Sequence, residues 1–492
     1  MARPDVSKRA CTLFLICGAT AIASPAQPTF TTLASFDWSN GASPALMSLV
    51  QGLDGDFYGT TYWGGAYGYG TIFKIARSGE LTTLYNFCAQ SNCPDGAGPV
   101  AGLVLGTDGN FYGTASAGGA RNFGTVFKIS PSGTLTTLYC FCTHFACDDG
   151  GLPEGGLIQA RDGNLYGTTL GGGAGGDGTV FRITPSGTLT TLHSFCARTN
   201  CTDGSEPQAG LVQASDGNFY GTTSYGGAHD SGTVFKIAPG GTLTTLYAFC
   251  AQAKCSDGGY SEAGLVQATS GNFYGTTAGG GTSGYGTVFK ITPSGTLTTL
   301  HSFCAQTNCT DGAYPRAELV QATDGNFYGT TYSGGSSGNC NAPPGCGTVF
   351  RITPLGRLST LNSFDGTDGS YLPGGLIQAT DGKLYGTTYS GGTSGNCNAP
   401  PGCGTAFRVT VGLGPFVEAL PYSGKVGATI DFLGEGLAAT TGVSFNGTAA
   451  SFTVKSETYL TATVPSGAAT GYVTVATPGG LLKSNKKFRV TQ

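Results

Sequence analysis

The chain has 492 residues, of which 85 are glycine and only 11% are charged, with a net charge of -4 at pH 7. No basic stripe is present to neutralise phosphates, which argues against a nucleic-acid partner. Val, Ile, Leu, Phe, Tyr and Thr alternate regularly between the glycines, as half-buried strands require, so the composition reads as turn-rich β structure rather than disorder.

At the N-terminus, Arg3, Lys8 and Arg9 precede an apolar run from Ala10 to Ala23, and small residues follow to Ala26. Residues 1–26 read as a secretory signal peptide. Bulky Ile16 argues against a lipoprotein anchor at Cys17. No later stretch is apolar enough to span a bilayer. The expected location is therefore secreted, extracellular or cell surface, with the periplasm as an alternative.

From residue 29 to residue 410 one segment recurs seven times. Its marker, the Tyr of D-G-N-F-Y-G, stands at Tyr58, Tyr112, Tyr166, Tyr220, Tyr274, Tyr328 and Tyr385, at five intervals of 54 residues and one of 57. Each unit needs its neighbours to bury its apolar face. A copy resolves into four strands, A-G-L-V-Q-A-T, N-F-Y-G-T-T, G-T-V-F-K-I-T and L-T-T-L-H-S-F, joined by the tight-turn sequences D-G-N and P-S-G-T. Tandem four-stranded units predict an all-β, seven-bladed β-propeller. The seventh copy has no fourth strand after Thr410, whereas residues 29–36, T-F-T-T-L-A-S-F, match that strand and would close the ring.

The cysteines pair locally. Cys88/Cys93, Cys142/Cys147, Cys196/Cys201, Cys250/Cys255 and Cys304/Cys309 repeat as C-x4-C, and Cys340/Cys346 and Cys397/Cys403 as C-x5-C. In an exported chain this spacing favours seven loop disulfides over metal thiolates, for which His144, His193, His229 and His301 are too few and too scattered. Strand parity places all seven pairs on one face, together with the loops between second and third strands, so that face is the expected binding face. Cys140 is left over, where other copies have Ser194, Ala248 or Ser302, and reads as a small buried thiol.

Three groups of residues on the looped face are candidates. Just before the innermost strands the copies read Leu46, Val100, Glu154, Gln208, Glu262, Arg316 and Pro373. Glu154 and Glu262 could act as an acid-base pair with Arg316 holding an anion, or the position could be a solvated polar rim. Asp95, Asp149, Asp203, Asp257, Asp311 and Asp368, each before Gly, could gather a channel-mouth cation such as calcium, but read more simply as Asx turns. Otherwise no cofactor is expected. The second-to-third loops carry Trp63, Tyr67, Tyr69, Phe123, Tyr225, His229 and Tyr285, suited to a sugar or protein partner. Tyr62, Tyr332 and Tyr389 follow the second strand directly and are expected to pack between blades.

After a linker at 411–415, residues 416–492 alternate as six or seven short strands of a β-sandwich, placed at 416–420, 429–434, 442–445, 450–454, 459–464, 472–477 and 487–490. The runs L-P-Y-S-G-K-V-G-A-T-I-D-F-L-G-E-G-L and L-T-A-T-V-P-S-G-A-A-T-G-Y-V-T-V-A-T-P-G-G closely resemble the IPT/TIG immunoglobulin-like family, which implies a spacer or adhesion module. The repeat, with D-G-N-F-Y-G-T-T and G-T-V-F-K-I-T-P-S-G-T-L-T-T-L, resembles the Gloeobacter/Verrucomicrobia tandem repeat of choice-of-anchor proteins, which implies an exported bacterial protein and brings no established activity. The end at Gln492 lacks a hydrophobic sorting tail, so release is expected rather than covalent anchoring. The expected function is a monomeric, non-enzymatic extracellular binding or adhesion module for glycan or protein; the alternative is a secreted propeller glycan lyase or hydrolase using the mouth carboxylates.

Overall fold

The computed structural model describes residues 27–44, 48–143, 146–197, 199–337, 340, 345–394, 397 and 402–491. The expected signal peptide, Leu46 and His144 lie outside them. The described chain is all-β, built largely of four-stranded antiparallel sheets, an arrangement consistent with propeller-like repeats. The fourth repeat is representative, with Val212–Gln213, Phe219–Thr223, Thr233–Ile237 and Leu243–Ala248 as inner, second, third and outer strands. Successive side chains of a strand point to opposite faces. Phe219 therefore stacks on Tyr166 of the preceding repeat at 4.1 Å, and Tyr220 on Phe273 of the following one at 4.1 Å. Tyr220 also donates its hydroxyl to Asp216 of its own D-G-N turn. Both faces of every second strand are thereby filled, which is why a single repeat could not stand alone.

The N-terminal strand supplies the outer strand that the last repeat lacks. Thr29–Ser35 pairs antiparallel with Thr405–Thr410, from Thr29↔Thr410 to Ser35↔Thr405, and completes that sheet. The same sheet returns to the first repeat. Phe57 stacks on Tyr385 at 4.0 Å and Phe36 meets Phe73 edge-on at 5.0 Å. The backbone N–H of Thr380 donates to Gln51 Oε1 at 3.0 Å, the same bond that joins Thr107 to Gln159 and Ser215 to Gln267 between consecutive repeats.

Two expectations need correction. The inner strand is not seven residues long: only two residues, such as Val212–Gln213, pair with the second strand. The Ala-Gly-Leu stretch before them serves the neighbouring repeat instead, as where Thr60 Oγ1 donates to the Ala101 carbonyl and Thr168 Oγ1 to that of Ala209. The first repeat also gains a strand, Ala42–Pro44, because its second strand, Phe57–Trp63, runs two residues further than the others. Cys140 is unpaired and half-buried, opposite Thr125 in its ladder.

Beyond residue 415 two four-stranded sheets enclose a core that includes Phe432, Leu437, Phe445, Leu460, Val475 and Phe488. Ser423–Lys425, Thr448–Ala450 and Gly480–Lys483 are strands that the alternation did not predict. They are short, and Ser423–Lys425 is held by a parallel ladder to Arg489–Thr491, so no period-2 run marks it. These sheets dock at the turns between inner and second strands and at Arg77, in a turn between third and outer strands. Glu435 forms an ion pair with Arg77 and accepts a bond from Thr380 Oγ1, Thr458 Oγ1 donates to the Leu53 carbonyl, and Arg489 reaches the Ser215 carbonyl at 3.3 Å.

Candidate functional site

On the looped face, neighbouring repeats are tied by their backbones. The N–H of Gly98 donates to the Tyr69 carbonyl, that of Tyr260 to Ser231 and that of Tyr314 to Tyr285. All seven expected disulfides are formed. Cys88–Cys93, Cys142–Cys147, Cys196–Cys201, Cys250–Cys255 and Cys304–Cys309 have Cα separations of 4.0 or 4.1 Å, and Cys340–Cys346 and Cys397–Cys403 have 5.1 and 5.4 Å.

The second cysteines of the pairs are buried or half-buried, and Cys93 is among the residues lining a cleft between the first and second repeats. Cys309, Cys346 and Cys403 are buried, and Cys147 and Cys255 are half-buried. Their carbonyls are also committed to the fold. That of Cys147 accepts the Gly173 N–H at 2.8 Å, that of Cys255 the Gly281 N–H at 2.9 Å and that of Cys309 the Gly335 N–H at 2.9 Å, each tying the staple to the second-to-third loop of the next repeat. Cys346 and Cys403 instead accept the Tyr371 and Ser43 N–H groups, both at 2.8 Å.

The repeated aspartates fix the same loops. Asp95 accepts bonds from the Tyr85 hydroxyl and the Cys88 N–H, Asp257 from Tyr247 and the Ala251 N–H, and Asp203 and Asp311 face His193 and His301 of the outer strand. They are local turn partners rather than a gathered ring of cation ligands. Among the described residues, one group has metal-binding proximity, Asp177 with Cys196 and Cys201, and its two sulfurs are joined as a disulfide.

The polar residues before the inner strands do come together. Arg316 Nε lies 3.5 Å from Glu262 Oε2, and its guanidinium lies 4.8 Å from the centre of the Tyr332 ring. Burial raises the Glu154 carboxyl above the usual range, and Glu206 and Glu262 add to the shift by repulsion. Glu262 is raised by burial too, with Arg316 opposing. Gln208, from the repeat between them, is half-buried, and Val100 and Pro373 are buried. Two residues further along, Glu318 replaces the glycine of other copies such as Gly210 and Gly264. It is packed round by protein yet touched by solvent, and burial pushes its carboxyl up to about 7 while Lys486 of the C-terminal sheets pulls it back.

The aromatic residues form an arc. Tyr225, 41% exposed, meets Tyr260, 42% exposed, at 5.5 Å; Tyr285 meets Tyr314 at 5.2 Å; Tyr332 meets Tyr371 at 4.9 Å. Tyr62 meets Trp63 at 4.5 Å. Tyr62 and Tyr332 are therefore more than packing between repeats: Tyr62 feels Glu154 and Tyr389, and Tyr332 carries Arg316. Sequence reading missed Tyr260, Tyr314 and Tyr371. Each occupies the same slot of the inter-repeat connection with φ between +54° and +58°, a conformation that favours glycine, and Gly98 meets that preference in the second repeat. The signal was present as one varying residue two places after the repeated D-G pair, in runs such as D-G-G-Y-S, D-G-A-Y-P and D-G-S-Y-L.

Trp63 and Tyr69, 40% and 45% exposed, line a cleft of about 550 Å³ between the first and second repeats, opposite Asn92, Arg121 and Asn122. Tyr67, half exposed, stands outside it near Tyr85, and Phe123 covers Gly151. His229 is exposed and joins neither cluster.

No curated protein matches this sequence. Among solved structures, the extracellular domain assigned to a hybrid two-component system of B. thetaiotaomicron is similar over 93% of this chain and 57% of its own, with 11% identity and a TM-score of 0.48. A Thermus thermophilus protein assigned as an oxidoreductase (glucose dehydrogenase) is similar over 78% of this chain and 100% of its own, with 17% identity and a TM-score of 0.41. A luciferin-regenerating enzyme is similar over 62% and 89%, with 13% identity and a TM-score of 0.39. Likenesses this distant carry no functional argument. The sequence does match one family model three times in succession, at residues 18–145, 141–267 and 250–456. The chain belongs to the Gloeobacter/Verrucomicrobia repeat family.

Proposed function

We propose that this chain is an exported, non-enzymatic binding module whose looped face takes an extracellular glycan. Residues 29–410 form a closed seven-bladed propeller with a central channel, and an IPT/TIG-type sandwich, residues 416–492, caps its turn face. One observation carries the reading: an arc of exposed, paired aromatic residues on stapled loops. Rings held in pairs offer flat apolar area at little entropic cost, and tyrosine hydroxyls add hydrogen bonds, which suits a sugar chain. Four of the rings, Tyr225, Tyr260, Trp63 and Tyr69, are at least 40% exposed, so they leave a platform that folding has not covered. The seven disulfides are consistent with an oxidising, extracellular setting.

Binding of the full mature chain to a glycan array tests this. Tyr260→Ala with Tyr314→Ala should weaken the strongest interaction by roughly tenfold or more, given about 0.5–1.5 kcal/mol per aromatic contact. Capture of proteins but no glycan would overturn it. The hydrolase or lyase reading keeps one specific support, the raised carboxyls of Glu154 and Glu262 at the channel mouth. Product formation abolished by Glu154→Gln or Glu262→Gln would establish that reading in place of the first.

A further inference from the structure

We infer that the cleft between the first and second repeats is a subsite for an anionic sugar residue, one bearing a carboxylate or a sulfate. The inference rests on the glycan reading above and narrows it. At about 550 Å³ the cleft is of the size at which small ligands are held. One wall is aromatic, with Trp63 braced edge-on by Tyr62 at 4.5 Å so that its ring presents a fixed face. The other wall is made of donors. Asn122 Oδ1 already accepts the Gly118 N–H at 2.8 Å, which leaves the Asn122 amide N–H as the group it can offer. Asn92 adds a second amide, and Arg121 adds a guanidinium, whose planar fork matches carboxylate and sulfate oxygens.

Charge then selects the ligand. Among the described residues, Arg121 is the single charged group lining the cleft, in a chain of net charge -4. No acidic group lines the cleft among the described residues; Glu154 acts on the Tyr62 ring, and Glu262 acts on Glu154. An anionic sugar is thus received at Arg121 and repelled from the channel mouth. The site is not a product of the repeat, either. The position of Trp63 is Ala117, Gly171, Tyr225 or Gly279 in the next four copies, and that of Arg121 is Tyr67, Gly175, His229 or Ser283, so those junctions do not pair an indole with a guanidinium.

Fluorescence titration of the full chain tests this, in a Trp38→Phe background so that Trp63 alone reports. The probes are an oligogalacturonide, its carboxyl-reduced neutral counterpart, and a sulfated oligosaccharide of similar length. At least one anionic probe should shift the Trp63 emission and bind roughly tenfold or more tighter than the neutral one, the span expected for a charge-assisted pair. Whichever anion binds tighter assigns the site to uronate or to sulfate. Arg121→Gln should bring the anionic ligand down to the neutral affinity, with Arg121→Lys in between. Equal affinity for neutral and anionic probes, or an Arg121→Gln variant that binds as the parent does, overturns the subsite. Binding that survives Trp63→Ala and Arg121→Gln but is lost in the Tyr260→Ala, Tyr314→Ala variant sinks the subsite and leaves the glycan reading standing. Absence of any glycan binding sinks both.

Discussion

Gly187 illustrates how single residues set the spacing of the repeats. It lies in the turn between third and outer strands at φ +96°, and a Cβ built there would stand 2.6 Å from the Leu138 carbonyl oxygen of the preceding repeat. Gly163, in a D-G-N turn at φ +82°, has nothing within 4 Å of the equivalent point. Gly163→Ala should therefore cost about 1 kcal/mol, from the backbone conformation alone, whereas Gly187→Ala should cost about 3 kcal/mol because it also pushes two repeats apart. Equal urea midpoints for the two variants would show that the close approach has no energetic weight. The turn glycines were legible in the sequence, since D-G-N and P-S-G-T carry their own chemistry. The tyrosines at 260, 314 and 371 were not, because a bulky residue at positive φ contradicts local preference and is tolerated only when its surroundings fix it. Their neighbours do so: the N–H of Tyr260 and of Tyr314 is bonded into the preceding repeat, and that of Tyr371 to the stapled Cys346.

At the scale of elements, the sheet of the last repeat is completed by the strand Thr29–Ser35 near the N-terminus. Phe36, directly after it, is fully buried against Phe73, much as Phe195 is buried against Phe235 inside the array. If the closing strand is an integral part of the last sheet, Phe36→Ala should destabilise the whole molecule by about 3–5 kcal/mol, close to the cost of Phe195→Ala. A near-neutral Phe36→Ala in chemical denaturation, with Phe195→Ala severe, would mean that the N-terminal strand is a dispensable flap. The strand was predictable because its pattern, T-L-A-S-F, is the one the seventh copy lacks. Inner-strand length was misread for a physical reason: A-G-L-V-Q-A-T alternates like a strand throughout, but part of its bonding goes to another repeat, as at Ala101 and Ala209. Alternation reports burial on one side and says nothing of which partner satisfies the backbone.

At the scale of the whole molecule, the C-terminal sheets are fixed to the turn face through Arg77, Thr380, Leu53 and Ser215, contacts between residues far apart in sequence that no local pattern announces. Docking brings Lys486 within electrostatic reach of Glu318, a carboxylate at a level where neighbouring copies have glycine. Glu318 titrates at about 7 in the folded chain, raised from an ordinary value of 4.5 by burial. The sign of its effect follows from proton linkage. Between those two values the folded state holds a proton that the unfolded state has released, so the contribution of Glu318 to stability is fully present below about 4.5 and is lost as pH rises through about 7. Glu318→Gln removes the ionisation and keeps the shape. Its melting temperature should exceed that of the parent at pH 8, and the two should converge at pH 4. A variant less stable than the parent at pH 8 would mean instead that the Glu318 carboxylate and Lys486 attract strongly enough to offset burial, and that this pair helps to hold the C-terminal sheets in place.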